Sequence, residues 1–367
     1  MNQQLEEQDQ VTTGIQHSFQ RQVKQLQQQL NGQQSQRNPR PSQSSPLLPP
    51  PPPPPQISTR QLQERISHTQ SQPSLQVNHK SHSLKEWKMT FNWTDGGKAP
   101  CKMTRGAAVV NRNVAYFMDY NGMICFYNSD SKGWGMLPQC PYKRSALAVV
   151  KGQITTIGGQ FYESTNKLLS LHGKWMEVFP PMPTKRNNTA AMTTKEHLIV
   201  AGGRNGSKTL QTVELMDTQT LVWSTVASLP HPYANASATI CGSQFYIMLG
   251  GWRDKSFVLT CSLSELLHST SSSPSSVWYR VADSPVYCST CTAVNGELLA
   301  VGGCGQGDKA VATIHYYNAT ANSWNLVGNL PTARYQCLVA VPSTNEIIVV
   351  GGNEHFTPTD IVEITSI

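Results

Sequence analysis

Short apolar runs that each close on a pair of glycines recur along the last three quarters of the chain. They are ITTIGG ending at Gly158 and Gly159, LIVAGG at Gly202 and Gly203, YIMLGG at Gly250 and Gly251, LLAVGG at Gly302 and Gly303, and IIVVGG at Gly351 and Gly352. The second glycines lie 44, 48, 52 and 49 residues apart. Runs this short, rich in Val and Ile and apolar on both faces, predict strands covered on both sides. A spacing this long predicts several strands per unit and excludes the shorter helical and leucine-rich repeats. Between the glycines and the end of each unit the pattern alternates and then turns. It is clearest in IHYYNATANSW from Ile314 to Trp324, where the Asn and Thr residues favour the turn.

A tryptophan recurs in phase with the glycines and is followed about seven residues later by proline: Trp134, Trp175, Trp223, Trp278 and Trp324. Each unit therefore reads as four antiparallel strands, one blade of a β-propeller. The tryptophan fills the gap that widens between blades away from the axis, and the glycines allow positive φ without a Cβ clash. The first unit departs from the pattern, with Asp119 and Tyr120 where the glycines belong and a hairpin closed by Asn121 and Gly122. The last unit stops after its third strand and has no tryptophan, whereas FNWTDGGKAP upstream of the first unit carries Trp93 seven residues before Pro100. These two ends predict that the N-terminal strand completes the last blade and leaves no open edge. The expected fold is all-β: a six-bladed propeller over residues 85–367, preceded by a disordered Gln/Ser/Pro-rich tail over 1–84.

The glycine pair, the aromatic before a turn and the Trp leading to a Pro-containing segment resemble the kelch repeat, and the resemblance covers all six units. It implies a propeller and says little about chemistry, because kelch domains serve adaptors, cytoskeletal proteins and a few enzymes. In a propeller the loops between blades and the loops after the glycines emerge on one face. The first set carries Arg105, Arg144, Arg186 and Arg334, with Tyr233 and Tyr287 in corresponding places. The second carries Gln160, Phe161 and Tyr162, then Arg204 and Asn205, Trp252 and Arg253, and Glu354 and His355. Arg, Tyr and Trp are the types enriched at binding hot spots. By resemblance to kelch substrate receptors, Arg144, Arg186, Arg204, Tyr287 and Arg334 would ring the central channel and clamp the carboxylates of an acidic peptide. The alternative for any one arginine is that it braces a neighbouring loop through its carbonyls.

Composition narrows the function further. The formal charge of +7 is spread: residues 1–84 carry seven Lys or Arg against four Asp or Glu, and the remainder 22 against 18. Without a basic stripe a nucleic-acid partner is not expected. No apolar run reaches the length of a membrane span. Nine cysteines, an odd number without a secretory leader ahead of them, read as reduced thiols of a cytoplasmic protein. Cys288 and Cys291 form a CxxC with no second pair to complete a zinc site, and residues 287–292 read as a strand that turns the two thiols to opposite faces. GGCGQGDK lacks the spacing of a phosphate-binding loop. No metal, cofactor or catalytic residue is expected, and the chain reads as a non-catalytic module that binds a protein or peptide.

The first quarter adds two features. Ile15, Phe19, Val23, Leu26 and Leu30 have helical spacing, enough for a short coiled coil over 15–30 or a transient helix. Pro46 and the run Pro49, Pro50, Pro51, Pro52, Pro53, Pro54 and Pro55 form a polyproline II segment, a ligand for profilin or a WW domain or else a stiff spacer. Three roles fit the whole. One is a substrate-recognition adaptor for ubiquitin ligation, although no BTB, BACK or F-box segment is present. Another is an actin-cytoskeleton organiser, and the third an enzyme acting on a sugar or small molecule.

Overall fold

The computed structural model describes residues 90–249, 256–273 and 275–366. The expectations for 15–30 and 46–55, and for Gly250, Gly251, Trp252 and Arg253, fall outside these residues.

Six four-stranded antiparallel sheets follow one another along the described chain. Blade 1 contains Ala107–Asn111, Val114–Met118, Ile124–Asn128 and Gly133–Leu137. Blade 2 contains Ala146–Val150, Gln153–Ile157, Leu168–His172 and Lys174–Glu177. Blade 3 is built from Ala190–Thr193, His197–Ala201, Val213–Asp217 and Trp223–Val226. Blade 4 is Ser237–Cys241, Gln244–Leu249, Ser256–Ser262 and Tyr279–Ser284. A short helix at Leu263–His268 lies between its last two strands and buries Leu266. That insertion, which the strand pattern did not predict, accounts for the longest glycine interval. Blade 5 is Thr290–Val294, Glu297–Val301, Thr313–Asn318 and Ser323–Asn329.

Blade 6 joins Leu338–Ser343, Glu346–Val350 and Thr357–Ser366 to the N-terminal strand Asn92–Met103. Asn92, Trp93 and Thr94 pair with Ser366, Thr365 and Ile364, so the two ends of the chain close the ring as the strand count requires. The first strands of successive blades pack against one another around the axis, blade 6 against blade 1 included. The core has the same division. Each of six apolar clusters spans one pair of neighbouring blades, as when Phe117 and Tyr127 of blade 1 meet Ile348 and Val362 of blade 6.

The glycine pairs bridge the blades through the backbone. The N–H of Gly159, Gly203, Gly303 and Gly352 donates to the carbonyls of Arg186, Tyr233, Arg334 and Met103 of the next blade, at 2.9, 2.7, 2.9 and 2.8 Å. A Cβ on the preceding glycine would lie 2.2 to 2.5 Å from the same carbonyl oxygen, and those glycines hold φ of 59° to 63°. Only glycine meets both conditions. A second bridge lies toward the rim. The indole N–H of Trp175, Trp223, Trp278 and Trp324 donates to the carbonyl of Pro138, Pro180, Ala227 and Ala282 of the preceding blade, at 2.8 to 3.2 Å. Trp93 and Trp134 find no acceptor among the described residues. The residues in the corresponding positions, Gly328 and Gly97, both sit at register shifts in their strands.

Closure makes the first strand a structural necessity. A chain starting at Lys98 loses Phe91 and Trp93, which pack against the interface of blades 5 and 6. Removing both should cost at least about 3 kcal/mol. A chain starting at Lys85 is expected to give a cooperative thermal unfolding transition and a single monodisperse species, and the shorter one to aggregate or melt without cooperativity. A well-folded monomer from the shorter chain would refute the closure.

Candidate functional site at the mouth of the axial cavity

The six inner strands enclose a cavity of about 480 Å³ on the axis. Its throat is built by Ala108, Leu147, Met192, Met248, Cys291 and Val339. Its mouth is formed by the residue just before each inner strand begins to line the cavity: Arg105, Arg144, Asn188, Asn235, Cys288 and Gln336. All six hold positive φ, between 50° and 59°. An unusual conformation for side chains of this kind recurs once per blade because the chain turns there from the blade-to-blade crossing into the channel wall.

Backbone hydrogen bonds tie these residues into a rim. Asn188 N–H donates to Arg144 C=O, Asn235 to Asn188, Gln336 to Cys288 and Arg105 to Gln336, at 2.9 to 3.2 Å. At blade 1 the Arg144 N–H instead reaches the carbonyl of Tyr120, at 2.9 Å. At four of the six mouth positions the preceding residue also pairs with the residue after a glycine pair: Lys143 with Gln160, Asn187 with Arg204, Tyr287 with Cys304 and Tyr335 with Asn353. This pairing brings the two sets of loops to one face.

The four inter-blade arginines divide into two kinds. Arg105 is exposed and donates from Nε to Gln336 Oε1 at 2.8 Å. Arg144 is half-buried, donates to Gln160 Oε1 at 3.1 Å and lies 4.9 Å from the centroid of the Tyr120 ring. Arg204 is exposed and lines the same mouth. The cavity lining contains these three arginines and no Asp or Glu.

Arg186 and Arg334, expected to ring the channel with Arg144, Arg204 and Tyr287, are instead both fully buried. Arg186 meets Glu214 at 2.7 Å and donates to the carbonyls of Gly202 and Thr212. Arg334 pairs with Glu363 and donates to the carbonyls of Gly351 and Ile361. Each binds the first glycine of its own blade and a glutamate in that blade's third strand. Burial lowers Arg186 below the usual arginine value, and Glu214 opposes the shift. For these two the bracing role considered from sequence is the one the geometry supports.

The distinction comes from a two-residue offset. Aligned on the small residues that open each inner strand, as in Gly106-Ala107-Ala108 and Thr189-Ala190-Ala191, Arg105 and Arg144 fall at the mouth position. Arg186, Tyr233 and Arg334 fall two residues earlier, beside buried Met103 and Val286. Tyr233 accordingly packs against the core of blades 3 and 4. Tyr287, one residue before the mouth, points its hydroxyl into its own blade and donates to Gly305 C=O at 2.8 Å and Asp308 Oδ1 at 2.6 Å. The bond to Asp308 and burial push it up to about 12. His355 is exposed with φ of 46° and does not line the cavity. The same alignment yields mouth residues that the search for arginines and aromatics passed over: Asn188, Asn235, Cys288, Gln336 and, at the hairpin of blade 1, Tyr120.

Cys288 also departs from expectation. The strand starts at Thr290, so Cys288 precedes it in left-handed geometry instead of lying within it. Its thiol meets that of Cys304, which follows the glycines of blade 5. On the same face Phe161 and Tyr162 stand 66% and 86% exposed with their rings 4.6 Å apart, and Phe356 is 67% exposed. Among the described residues no group of three His, Cys, Asp or Glu side chains is arranged to hold a metal, and no helix is long and apolar enough to cross a membrane.

Six sheets around an axial cavity, closed by the two ends of the chain, define the protein as a six-bladed β-propeller. The family model of the kelch motif matches residues 185–230 and 285–331. The chain is 24% identical over 242 residues to Kelch-like protein 35 of Mus musculus, covering 64% of this chain and 40% of that protein. It is 25% identical over 137 residues to Kelch-like protein terF of Aspergillus terreus, covering 34% and 30%, and 24% identical over 204 residues to Kelch-like protein 25 of Xenopus tropicalis, covering 54% and 32%. The chain thus spans less than half the length of these relatives. Its fold is similar to that in a solved structure of YjhT, with a TM-score of 0.58 and 13% identity over 74% of this chain and 95% of that one. The chain is a six-bladed β-propeller that carries kelch motifs, and that fold points to a protein–protein interaction module.

The two kinds of arginine separate experimentally. Arg186→Ala leaves Glu214 buried without its partner and should cost about 3 to 5 kcal/mol. Arg144→Ala removes only partly exposed contacts and should stay within about 1 kcal/mol of the parent. Urea unfolding of the two variants checks the difference, and equal losses would place both arginines in one class.

Proposed function

We propose that this protein binds an extended acidic segment of a partner protein at the mouth of the axial cavity, without catalysis. The observation that carries this reading is the charge of Arg105, Arg144 and Arg204 around a concave mouth whose lining holds no carboxylate. Their neighbours supply neutral acceptors, Gln336 and Gln160, which orient the first two guanidinium groups and leave their charge unmatched. A carboxylate entering from solvent completes such sites with charge-assisted, bidentate hydrogen bonds. Asn188, Asn235 and Gln336 add neutral donors and acceptors for the segment's backbone. Phe161, Tyr162 and Phe356 offer apolar contacts on the same face.

The blades shape the approach. Residues 119–123 connect the middle strands of blade 1, whereas 158–167 do so in blade 2, so the rim is low over blade 1, beside Arg105 and Arg144. A segment leaving the cavity there passes between the aromatic pair of blade 2 and Phe356 of blade 6. In the cell we place this binding in the cytoplasm, as the substrate-recognition step of an adaptor that meets a ubiquitin ligase through another chain or region. Recruitment of profilin or a WW domain through Pro49–Pro55 belongs to the same proposal.

Reversing the charge of the mouth tests it. The full chain carrying Arg105→Glu, Arg144→Glu and Arg204→Glu should bind a fluorescein-labelled oligoglutamate peptide at least about tenfold more weakly by anisotropy. Arg112→Glu, an exposed arginine in a turn outside the cavity lining, should leave the affinity unchanged. Equal binding by the parent and the triple variant would sink the assignment.

A further inference from the structure

The mouth position of blade 5 is a cysteine, and a second cysteine lies behind it. Tyr287 and Cys304 exchange both backbone hydrogen bonds, at 3.1 and 2.7 Å, which sets Cys288 one residue from a paired position with Cys304. In a regular strand that offset would send the two side chains to opposite faces. Cys288 has φ of 54°, and the departure from strand geometry lets its thiol meet that of Cys304, which donates a hydrogen bond to the Cys288 sulfur. Access to the two is unequal. Cys288 is half-buried and lines the cavity, while Cys304 is fully buried.

The surroundings favour a thiolate on the accessible member. The hydrogen bond from Cys304 holds Cys288 below the ordinary thiol range, burial opposes it, Arg105 adds to the lowering and Asp308 works against it. Cys304 is shifted upward by the same bond and by burial. An accessible nucleophilic sulfur backed by a second thiol within reach is the arrangement of a dithiol that oxidises reversibly.

We propose that Cys288 and Cys304 form a peroxide-responsive dithiol that controls the charge of the cavity mouth; its effect on binding rests on the function proposed above. The Cys288 thiolate attacks one oxygen of hydrogen peroxide and the O–O bond breaks. Cys288 becomes a sulfenic acid, and the departing hydroxide takes a proton to leave as water. The Cys304 sulfur then attacks the sulfenic sulfur, the S–O bond breaks, and a second water leaves with the proton of Cys304. Two thiols lose two electrons and the peroxide gains them. A thioredoxin-type dithiol or glutathione reverses the step.

The result reaches the site by two routes. Cys288 is the member of the reduced pair that can carry negative charge beside Arg105, where it would compete with an acidic ligand, and the disulfide carries none. The Cys288 carbonyl also accepts from Gln336 N–H at 3.0 Å, and Gln336 Oε1 accepts from Arg105 Nε at 2.8 Å, so a shift at Cys288 passes to the arginine. Oxidation should therefore strengthen binding of an anionic segment.

The test uses the full chain with Cys101→Ser as background, because Cys101 and Cys125 form the other hydrogen-bonded thiol pair. Hydrogen peroxide treatment, alkylation of remaining thiols and peptide mass mapping should show a Cys288–Cys304 crosslink that dithiothreitol removes. In Cys304→Ser, a dimedone adduct should accumulate at Cys288 ahead of the other cysteines. Absence of the crosslink, or dimedone spread evenly over the thiols, overturns the proposal. Affinity for the oligoglutamate probe should rise about twofold to fivefold on oxidation and stay constant in Cys288→Ser. A crosslinked protein with unchanged affinity, while the triple arginine variant still weakens binding, refutes the control and leaves the binding site standing. If the probe binds neither form, the binding site falls, and the crosslink and dimedone results alone decide the dithiol.

Discussion

A backbone hydrogen bond that crosses from one blade to the next sets the geometry on which the rest of this propeller depends. In it the second glycine of a pair donates to a carbonyl of the following inter-blade segment, and the first glycine leaves room for that oxygen at 2.2 to 2.5 Å from where its Cβ would stand. At four of the six mouth positions the bond fixes the chain two residues earlier. From there the chain can only turn through left-handed geometry into the channel wall. The positive φ of Asn188, Asn235, Gln336 and Arg105 therefore follows directly on such a bridge, which ties the cavity mouth to the packing of the blades. A preformed mouth loses little conformational freedom when a partner binds, which favours affinity per contact.

The two roles of arginine follow from the same frame. Two residues before the mouth, the side chain points inward beside the glycine carbonyl, and the terminal guanidinium nitrogens of Arg186 and Arg334 meet two carbonyls and a glutamate. Met103 and Val286 occupy the equivalent space with apolar packing alone, so the ion pair is one of several ways to fill it. At the mouth itself the side chain faces solvent and the axis. Arg105 and Arg144 there keep their charge available because their side-chain hydrogen-bond acceptors among the described residues are neutral glutamine amides. One residue type thus braces the ring in one register and carries charge at the open mouth in the other.

Much of this was legible in the sequence. Strand, glycine pair and tryptophan recur with a period that only a propeller blade satisfies, and the missing fourth strand of the last unit pointed to Trp93 as its source. The arginine register was not legible in the same way. Arg144 in YKR and Arg186 in TKR look equivalent beside their prolines, but the proline-to-strand distance varies between blades, and only the small residues of the inner strand keep constant phase. The thiol pair was missed for a related reason. Alternation was assumed through residues 287–292, and the positive φ at Cys288 that breaks it comes from the ring as a whole and has no local signature such as glycine. The helix at Leu263–His268 lies in a polar insertion whose few apolar positions give no sustained period.

The departures from the repeat cluster where the candidate site is. Blade 1 lacks the glycine pair, and its hairpin is held instead by the Asp119 carboxylate, which accepts from the N–H of Asn121 and Met123 at 2.9 and 2.8 Å. That turn is short, so the rim is low there, and it leaves the Tyr120 carbonyl to receive the Arg144 N–H while the Tyr120 ring lies beside the guanidinium. The missing glycine bridge falls on the interface of blades 1 and 2, which keeps the indole bond of Trp175, and the missing indole bond of Trp134 falls on the interface of blades 6 and 1, which keeps the bridge from Gly352 to Met103. Where a repeat gives up two of its own stabilising contacts and the neighbouring positions carry arginines without carboxylate partners, the departure is better explained by a ligand than by the fold.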